Sequence, residues 1–140
     1  MQTITPYLYY ADVDAAMRVL AEAFGFEETL RYTGPEGYVS HAEMRLGDAE
    51  IMLGDPGEAS RPPAQLGAST HGTHLYLDDV DAVCERARAA GLEITEGPTD
   101  KFYGDRSFSA RDAEGHEWFV ATPMQDTRSE GSGAAATRGV

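Results

Sequence analysis

A short acidic segment recurs in this chain, and its recurrence constrains the fold more than any other feature. The segment DVDA at residues 12–15 is repeated at residues 79–82, a spacing of 67. A looser pair, AFGFE at 23–27 and AAGLE at 89–93, follows at a spacing of 66. Self-similarity at a fixed period indicates that one structural unit occurs twice. We therefore expect two tandem copies of one module.

Each acidic segment introduces a predicted helix with one apolar stripe. The stripe comprises Val13, Met17, Leu20 and Phe24 in the first copy and Val80, Val83, Cys84 and Ala87 in the second. Gly25 and Gly91 follow directly and supply the helix ends. Cys84, the single cysteine, is thus expected to be a small core residue rather than a nucleophile, and an internal disulfide is excluded.

Alternation of apolar and polar residues predicts one strand before each helix and three after it. The predicted strands are 3–10, 26–33, 38–46 and 49–53 in the first copy and 72–77, 92–96, 107–111 and 117–121 in the second. The fold class is therefore α+β, with βαβββ modules at 3–54 and 72–123 inside a single domain spanning 1–124. The Gly- and Pro-rich segment 55–71 is predicted to be a surface linker, and 125–140 a disordered tail.

The charge balance limits the partners. The chain has 24 acidic and 11 basic residues and a net charge of −13, with no stripe of Lys or Arg to contact a phosphate backbone. Nucleic acid is therefore not an expected partner, and a neutral or cationic ligand is favoured. No apolar run approaches the roughly 20 residues that span a bilayer, and the first residues, MQTITPYLYY, do not resemble a signal peptide. We expect a cytoplasmic protein without a membrane partner.

Two strings, HAEMRLGDAEIMLGD at 41–55 and YGDRSFSARDAEGHEWFVATP at 103–123, occur at module spacing. Together with the paired modules they resemble the vicinal-oxygen-chelate superfamily, which includes glyoxalase I, extradiol dioxygenases and bleomycin-resistance proteins, and within it the PhnB-like group. The resemblance covers roughly residues 3–123. It implies a curved mixed sheet from each module around a cavity, helices on the outside, and a homodimer.

Strand alternation sorts side chains between the helix side and the cavity side. The sorting assigns ten residues to the cavity as predicted ligand contacts: Tyr7, Tyr9, His41, Glu43, Glu50, Met52, His74, Tyr76, Glu117 and Phe119. Phe108 is ambiguous, since it suits either side, and is included among the predicted contacts. Residues 97–106 are predicted to form a loop that closes over the cavity mouth with Phe102, Tyr103 and Arg106.

The resemblance also implies positions for metal ligands. Metal-using members of the superfamily place four ligands, mostly His and Glu, on the first and last strands of each module, and these positions correspond to Thr5, Met52, Gly72 and Phe119 here. None of the four is a good ligand for a divalent metal, so no metal and no cofactor are expected. A mapping displaced by two residues would instead bring together His74, Glu50 and Glu117, with Thr3 or Tyr7, but it requires a β-bulge.

Two functions follow from this reasoning. The first is a metal-independent protein, without catalytic residues, that sequesters an aromatic, neutral or cationic, antibiotic-like compound between tyrosines and carboxylates. The alternative is an enzyme: either a metal-dependent lyase, isomerase or dioxygenase of the glyoxalase type, or a metal-free isomerase with Glu or His as general base.

Overall fold

A computed structural model describes residues 2–124 of the chain, and it contains eight strands and three α-helices in that range. The first module consists of β1 (Tyr7–Tyr9), α1 (Val13–Phe24), β2 (Glu27–Thr33), β3 (Val39–Leu46) and β4 (Ala49–Gly54). A short helix, α2 (Pro63–Leu66), lies in the linker. The second module consists of β5 (Gly72–Tyr76), α3 (Val80–Ala90), β6 (Glu93–Asp100), β7 (Asp105–Arg111) and β8 (Glu117–Pro123). The predicted tail at 125–140 lies outside the described residues.

The strand order confirms two tandem βαβββ modules and the α+β class. The sheets have the equivalent orders β1-β4-β3-β2 and β5-β8-β7-β6, and in each the first strand is parallel to the last while the other pairs are antiparallel. Tyr7 is paired with Met52, and His74 with Phe119. Both residues of the second pair lie 67 positions after those of the first, so the sequence repeat is preserved in the register.

Side-chain caps and left-handed glycines fix the ends of the two long helices. Asp12 and Asp79 each accept a hydrogen bond from the backbone N–H three residues later, at 3.0 and 3.2 Å. Gly25 and Gly91 end the helices with φ of 89° and 106°, a conformation that costs a residue with a β-carbon about 1 kcal/mol or more. The repeated DVDA segment is therefore a repeated helix start.

One continuous core lies between the helices and one face of each sheet. Helices α1 and α3 pack against each other, and within the described residues no strand of one sheet makes comparably extensive contact with a strand of the other. Trp118 on β8 is fully buried and contacts Phe24 and Phe26 of the first module, with ring centroids 5.4 and 6.1 Å apart. Cys84 is buried in the same core. The two modules are thus joined through their helix sides.

Several element boundaries differ from the prediction. Strand β1 begins at Tyr7 rather than residue 3, because Pro6 has no N–H to donate and only its carbonyl bonds to Met52. Strands β6 and β7 extend as a hairpin into 97–106, leaving a short turn closed by a hydrogen bond from the Lys101 N–H to the Asp105 carbonyl. In the described range, no helix has the length and apolar character needed to cross a membrane.

Candidate ligand-binding surface

The side of each sheet that turns away from the helices is open in the single chain and carries aromatic residues. Tyr7, Tyr9 and Tyr76 expose 46%, 38% and 47% of their surface, whereas Leu8 and Leu75, which alternate with them, are buried in the core. We call the first surface the module-one face: Tyr7, Tyr9, Tyr32, His41, Glu43, Glu50 and Met52. The second is the module-two face: His74, Tyr76, Asp105, Ser107, Ser109, Arg111, Glu117 and Phe119.

A hydrogen-bonded chain of three side chains occupies the centre of the module-one face. The Tyr7 Oη lies 2.7 Å from His41 Nδ1, and His41 Nε2 lies 3.0 Å from a carboxylate oxygen of Glu43. The register explains the meeting, because Tyr7 and Glu43 are both paired with Met52 from opposite sides of β4. Partial burial raises the pKa of the Tyr7 phenol, and the neighbouring Tyr9 and Glu43 raise it further. The phenol therefore keeps its proton at neutral pH.

Tyr32 joins this group although the sequence reasoning did not select it. Its ring stacks on His41 with a centroid distance of 5.6 Å and an interplanar angle of 29°. Tyr32 is the cross-strand neighbour of His41 on β2. Alternation gives only the side of the sheet, and the pairing of Tyr32 with His41 also depends on a register shift that directly follows Tyr32.

Two glycines leave room for aromatic rings on the module-one and module-two faces. A β-carbon at Gly54 would lie 2.5 Å from the Tyr7 Oη, and one at Gly72 would lie 2.4 Å from Cε2 of Phe119. Both distances are far inside van der Waals contact, so any side chain at these positions would displace the ring. The glycine at the end of β4 and the glycine at the start of β5 thus position the Tyr7 and Phe119 rings.

The module-two face is built differently. The Tyr76 hydroxyl donates to Asp105 at 3.2 Å, and the His74 and Tyr76 rings lie 4.8 Å apart. Arg111 lies between two carboxylates, 3.5 Å from Glu93 and 3.5 Å from Glu117. The sequence does not identify Asp105 and Arg111, because the predicted strand starts two residues later and Phe108 suits either side of it.

A cleft of about 730 Å³ adjoins the end of the module-two face near Glu117. Its walls are Arg111 and Glu117 on the sheet and the linker around α2. The linker is held there by a 2.8 Å hydrogen bond from the Ala64 N–H to the Glu114 carbonyl. This volume lies in the range of about 300–1,000 Å³ that is typical of small-molecule sites.

Four of the predicted contacts lie away from these faces. Phe108 is fully buried in the core, which resolves its ambiguity in favour of the helix side. Arg106 contacts Asp81 on α3 and Asp100 on β6, at 3.0 and 2.9 Å, so its guanidinium is engaged in ion pairs. Phe102 and Tyr103 lie on the turn between β6 and β7, where Phe102 is 99% exposed and its ring meets that of Tyr103 edge-on.

Comparison with known proteins identifies the family. The model of the Glyoxalase/Bleomycin resistance protein/Dioxygenase superfamily matches residues 3–120. The chain belongs to this superfamily.

Individual relatives agree with this assignment. An uncharacterised protein of Mycobacterium bovis is 32% identical over 128 residues, which cover 88% of this chain and 84% of that protein. The crystal structure of TioX from Micromonospora sp. ML1 has a TM-score of 0.72 and 30% identity, covering 89% of this chain and all of TioX, 100%. Lactoylglutathione lyase from Agrobacterium tumefaciens has a TM-score of 0.61 and 26% identity, covering 87% of this chain and 94% of the lyase.

The residues at the superfamily's metal positions do not fit a divalent ion. The space beside Gly72 is occupied by the Phe119 ring, and Met52 offers only a thioether. Within a single chain the displaced set is divided between the sheets, with Glu50 on the first and His74 and Glu117 on the second. Among residues 2–124, no three His, Cys, Asp or Glu side chains are placed to hold a metal together.

Proposed function

We propose that this member of the glyoxalase/bleomycin-resistance superfamily binds and sequesters a planar aromatic compound of antibiotic-like size, neutral or cationic, without a metal. The observation that carries the proposal is the pair of exposed aromatic faces, on which Tyr7, Tyr9 and Tyr76 are 46%, 38% and 47% exposed. Large aromatic surfaces that stay open to water are a mark of ligand or partner contact. Flat rings stack on tyrosines, and nearby carboxylates attract a cation.

We further propose that the binding cavity is completed in a homodimer. The two faces of one chain are separated by the helix layer that joins the modules, so they do not close over a shared space. A second copy related by a two-fold axis would place its module-two face over the module-one face of the first. A ligand between two such faces would be buried on both sides, as small-molecule sites usually require.

Titration with proflavine, a planar cationic acridine, tests the proposal. We expect saturable binding of about one dye per chain, weakened by about tenfold or more in Tyr9→Ala and in Tyr76→Ala because each variant removes a stacking surface. Tyr38→Ala, at an exposed tyrosine outside both faces, is the matched control and should bind as the parent does. Absence of saturable binding by planar cationic and neutral dyes, or binding that neither face variant weakens, would refute the proposal.

An enzymatic function is the second candidate, favoured by the Tyr7–His41–Glu43 chain and by the likeness to the lyase of Agrobacterium tumefaciens. In that case the carboxylate would orient the imidazole, and the imidazole would act as a general base through Tyr7. Mass spectrometry of a bound compound separates the candidates. A compound recovered unchanged after long incubation supports sequestration, and stoichiometric or catalytic conversion contradicts it.

A further inference from the structure

With an ionised Glu43 and a neutral His41, the hydrogen bonds between Tyr7, His41 and Glu43 have one direction. An ionised Glu43 can only accept a hydrogen bond, so His41 Nε2, 3.0 Å away, must carry the hydrogen. In the neutral imidazole the other nitrogen, Nδ1, is then an acceptor. The Tyr7 hydroxyl, 2.7 Å from Nδ1, donates its one hydrogen to it. The Tyr7 oxygen therefore has a lone pair with which to accept and no further hydrogen to donate.

The surroundings hold this arrangement in place. The Tyr32 ring stacks on the imidazole, and the absent side chain at Gly54 leaves room for the Tyr7 ring. Burial, and after it Tyr9 and Glu43, raise the pKa of Tyr7. The hydroxyl therefore keeps its hydrogen, and its hydrogen bond to His41, at and above neutral pH. Neither the imidazole nor the phenol can turn without losing a contact.

The second module shows that the βαβββ fold does not require the hydrogen bonds among Tyr7, His41 and Glu43. His41 is paired with Gly54, and at the equivalent place Ser107 is paired with Ala121. Glu43 is paired with Met52, and Ser109 with Phe119. The two serines thus occupy the positions of His41 and Glu43, although both modules have the same strand order. A group present in only one of two equivalent modules is better explained by recognition than by folding.

We propose that the Tyr7 oxygen is a fixed hydrogen-bond acceptor that selects aromatic ligands bearing N–H or O–H donors, above all amino-substituted cations, with His41 and Glu43 as its positioning residues. This inference rests on the proposed function, since it concerns which compounds the module-one face accepts. Compounds that present only acceptors or methylated amines at that point leave the Tyr7 oxygen desolvated and unpaired, which weakens their binding.

Two acridine dyes form a matched pair of probes. Proflavine carries two –NH₂ groups, whereas acridine orange carries –N(CH₃)₂ groups at the same places, and both are planar cations near neutral pH. The affinity of each is measured by equilibrium dialysis and dye fluorescence with the full-length chain. We expect proflavine to bind the parent protein about tenfold more tightly, the worth of one satisfied hydrogen bond in a partly desolvated site.

Single substitutions test which side chain causes the preference for proflavine over acridine orange. Tyr7→Phe keeps the ring and removes the oxygen, so the preference for proflavine should disappear through weaker proflavine binding, with acridine orange changed less than about twofold. His41→Phe keeps a ring for Tyr32 and frees the Tyr7 hydroxyl to rotate, so the ratio of affinities should fall while Tyr7 is intact. Tyr38→Phe, outside both faces, should preserve the ratio. Circular dichroism of each variant verifies that it is folded.

The outcomes separate this inference from the proposal on which it rests. Equal affinity of the parent protein for the two dyes, or a Tyr7→Phe effect of the same size on both, overturns the acceptor assignment and leaves the sequestering function standing. Failure of the parent protein to bind either dye overturns the acceptor assignment, and failure to bind neutral planar dyes as well overturns the proposed function. A ratio that falls in Tyr7→Phe and in His41→Phe but not in Tyr38→Phe supports the assignment.

Discussion

Asp112, in the turn between β7 and β8, connects the two modules through hydrogen bonds. One carboxylate oxygen accepts from the Tyr10 hydroxyl at 2.6 Å and from the Trp118 indole N–H at 3.1 Å, and the other accepts from the backbone of Glu114 and His116. Tyr10 and Trp118 are fully buried. Loss of the carboxylate would leave the Tyr10 hydroxyl and the Trp118 indole N–H buried without a hydrogen-bond acceptor.

We therefore predict that Asp112→Ala lowers the free energy of unfolding by about 3 kcal/mol, because two buried donors lose their acceptor. Asp112→Asn, which keeps one oxygen, should cost about half as much. Urea denaturation measures both. Asp48→Ala, at an exposed turn, is the control, and a loss in Asp112→Ala no larger than in the control would contradict the role assigned to Asp112.

The Tyr10 phenol gives a pH prediction. Burial, and next the neighbouring Asp112 carboxylate, raise its pKa well above the ordinary value of 10.0. The unfolded chain therefore releases this proton first, so the free energy of unfolding is unaffected below about pH 9 and falls as the pH rises past 10. Urea denaturation at about pH 8 and pH 11 should show a smaller loss in Tyr10→Phe than in the parent protein. An equal loss in the two proteins would show that Tyr10 titrates normally.

At this scale the sequence predicted which side of a strand a residue occupies, but not its distant partner. Alternation placed His41 and Glu43 on one side and Met44 on the other, and the structure agrees. The bond between Tyr10 and Asp112 joins residues 102 positions apart. No local pattern encodes such a contact, since it depends on how the two modules meet.

Among the elements, α3 begins in a strained conformation. Its capping residue Asp79 has a φ of 58°, in the left-handed region that residues with a β-carbon seldom adopt, and its side chain caps the Ala82 N–H. Asp12, which caps α1, has an ordinary φ of −122°. The identical DVDA segments thus begin their helices from different backbone conformations.

Substitutions at Asp79 should separate the stabilising effect of its helix cap from the cost of its left-handed backbone. Asp79→Asn keeps a capping oxygen and tolerates a positive φ, so we expect little change in stability. Asp79→Gly loses the cap but gains backbone freedom, and Asp79→Ala loses the cap without that gain and should cost about 2 kcal/mol. Thermal or urea unfolding should rank the variants Asn, Gly, Ala from most to least stable. An Asp79→Gly variant less stable than Asp79→Ala would contradict the strain argument.

Element prediction succeeded where periodicity and end signals coincided. The stripe from Val13 to Phe24 and the stop at Gly25 gave α1 almost to the residue. The sequence does not predict the linker helix α2, because four residues are too few to show a helical period. Gly97 and Pro98 weaken the strand pattern, so the sequence predicts a loop at 97–106, yet β6 continues through both residues.

For the whole molecule, the acidic charge should act on association with a cationic ligand. With a net charge of −13, the chain attracts a cation over a distance that salt shortens to about 10 Å at 0.1 M ionic strength. Proflavine affinity should therefore fall several-fold between about 0.02 and 0.5 M NaCl, while the affinity for a neutral aromatic dye changes little. Stopped-flow fluorescence should assign most of the loss to the association rate. A neutral dye with the same salt dependence would contradict this explanation.

In the proposed dimer, two variants that each lose ligand binding should complement each other when they are combined. If each cavity combines the module-one face of one copy with the module-two face of another, Tyr9→Ala damages one wall of both cavities and Tyr76→Ala the other. In a mixed dimer, one cavity then carries both substitutions and the second carries neither. After equal amounts are unfolded and refolded together, about half the dimers should be mixed, and about one quarter of all cavities should bind proflavine with parental affinity. Sedimentation equilibrium should give twice the chain mass for each protein. Dimers without this recovery would place each cavity within a single chain, and monomers would contradict the assembly itself.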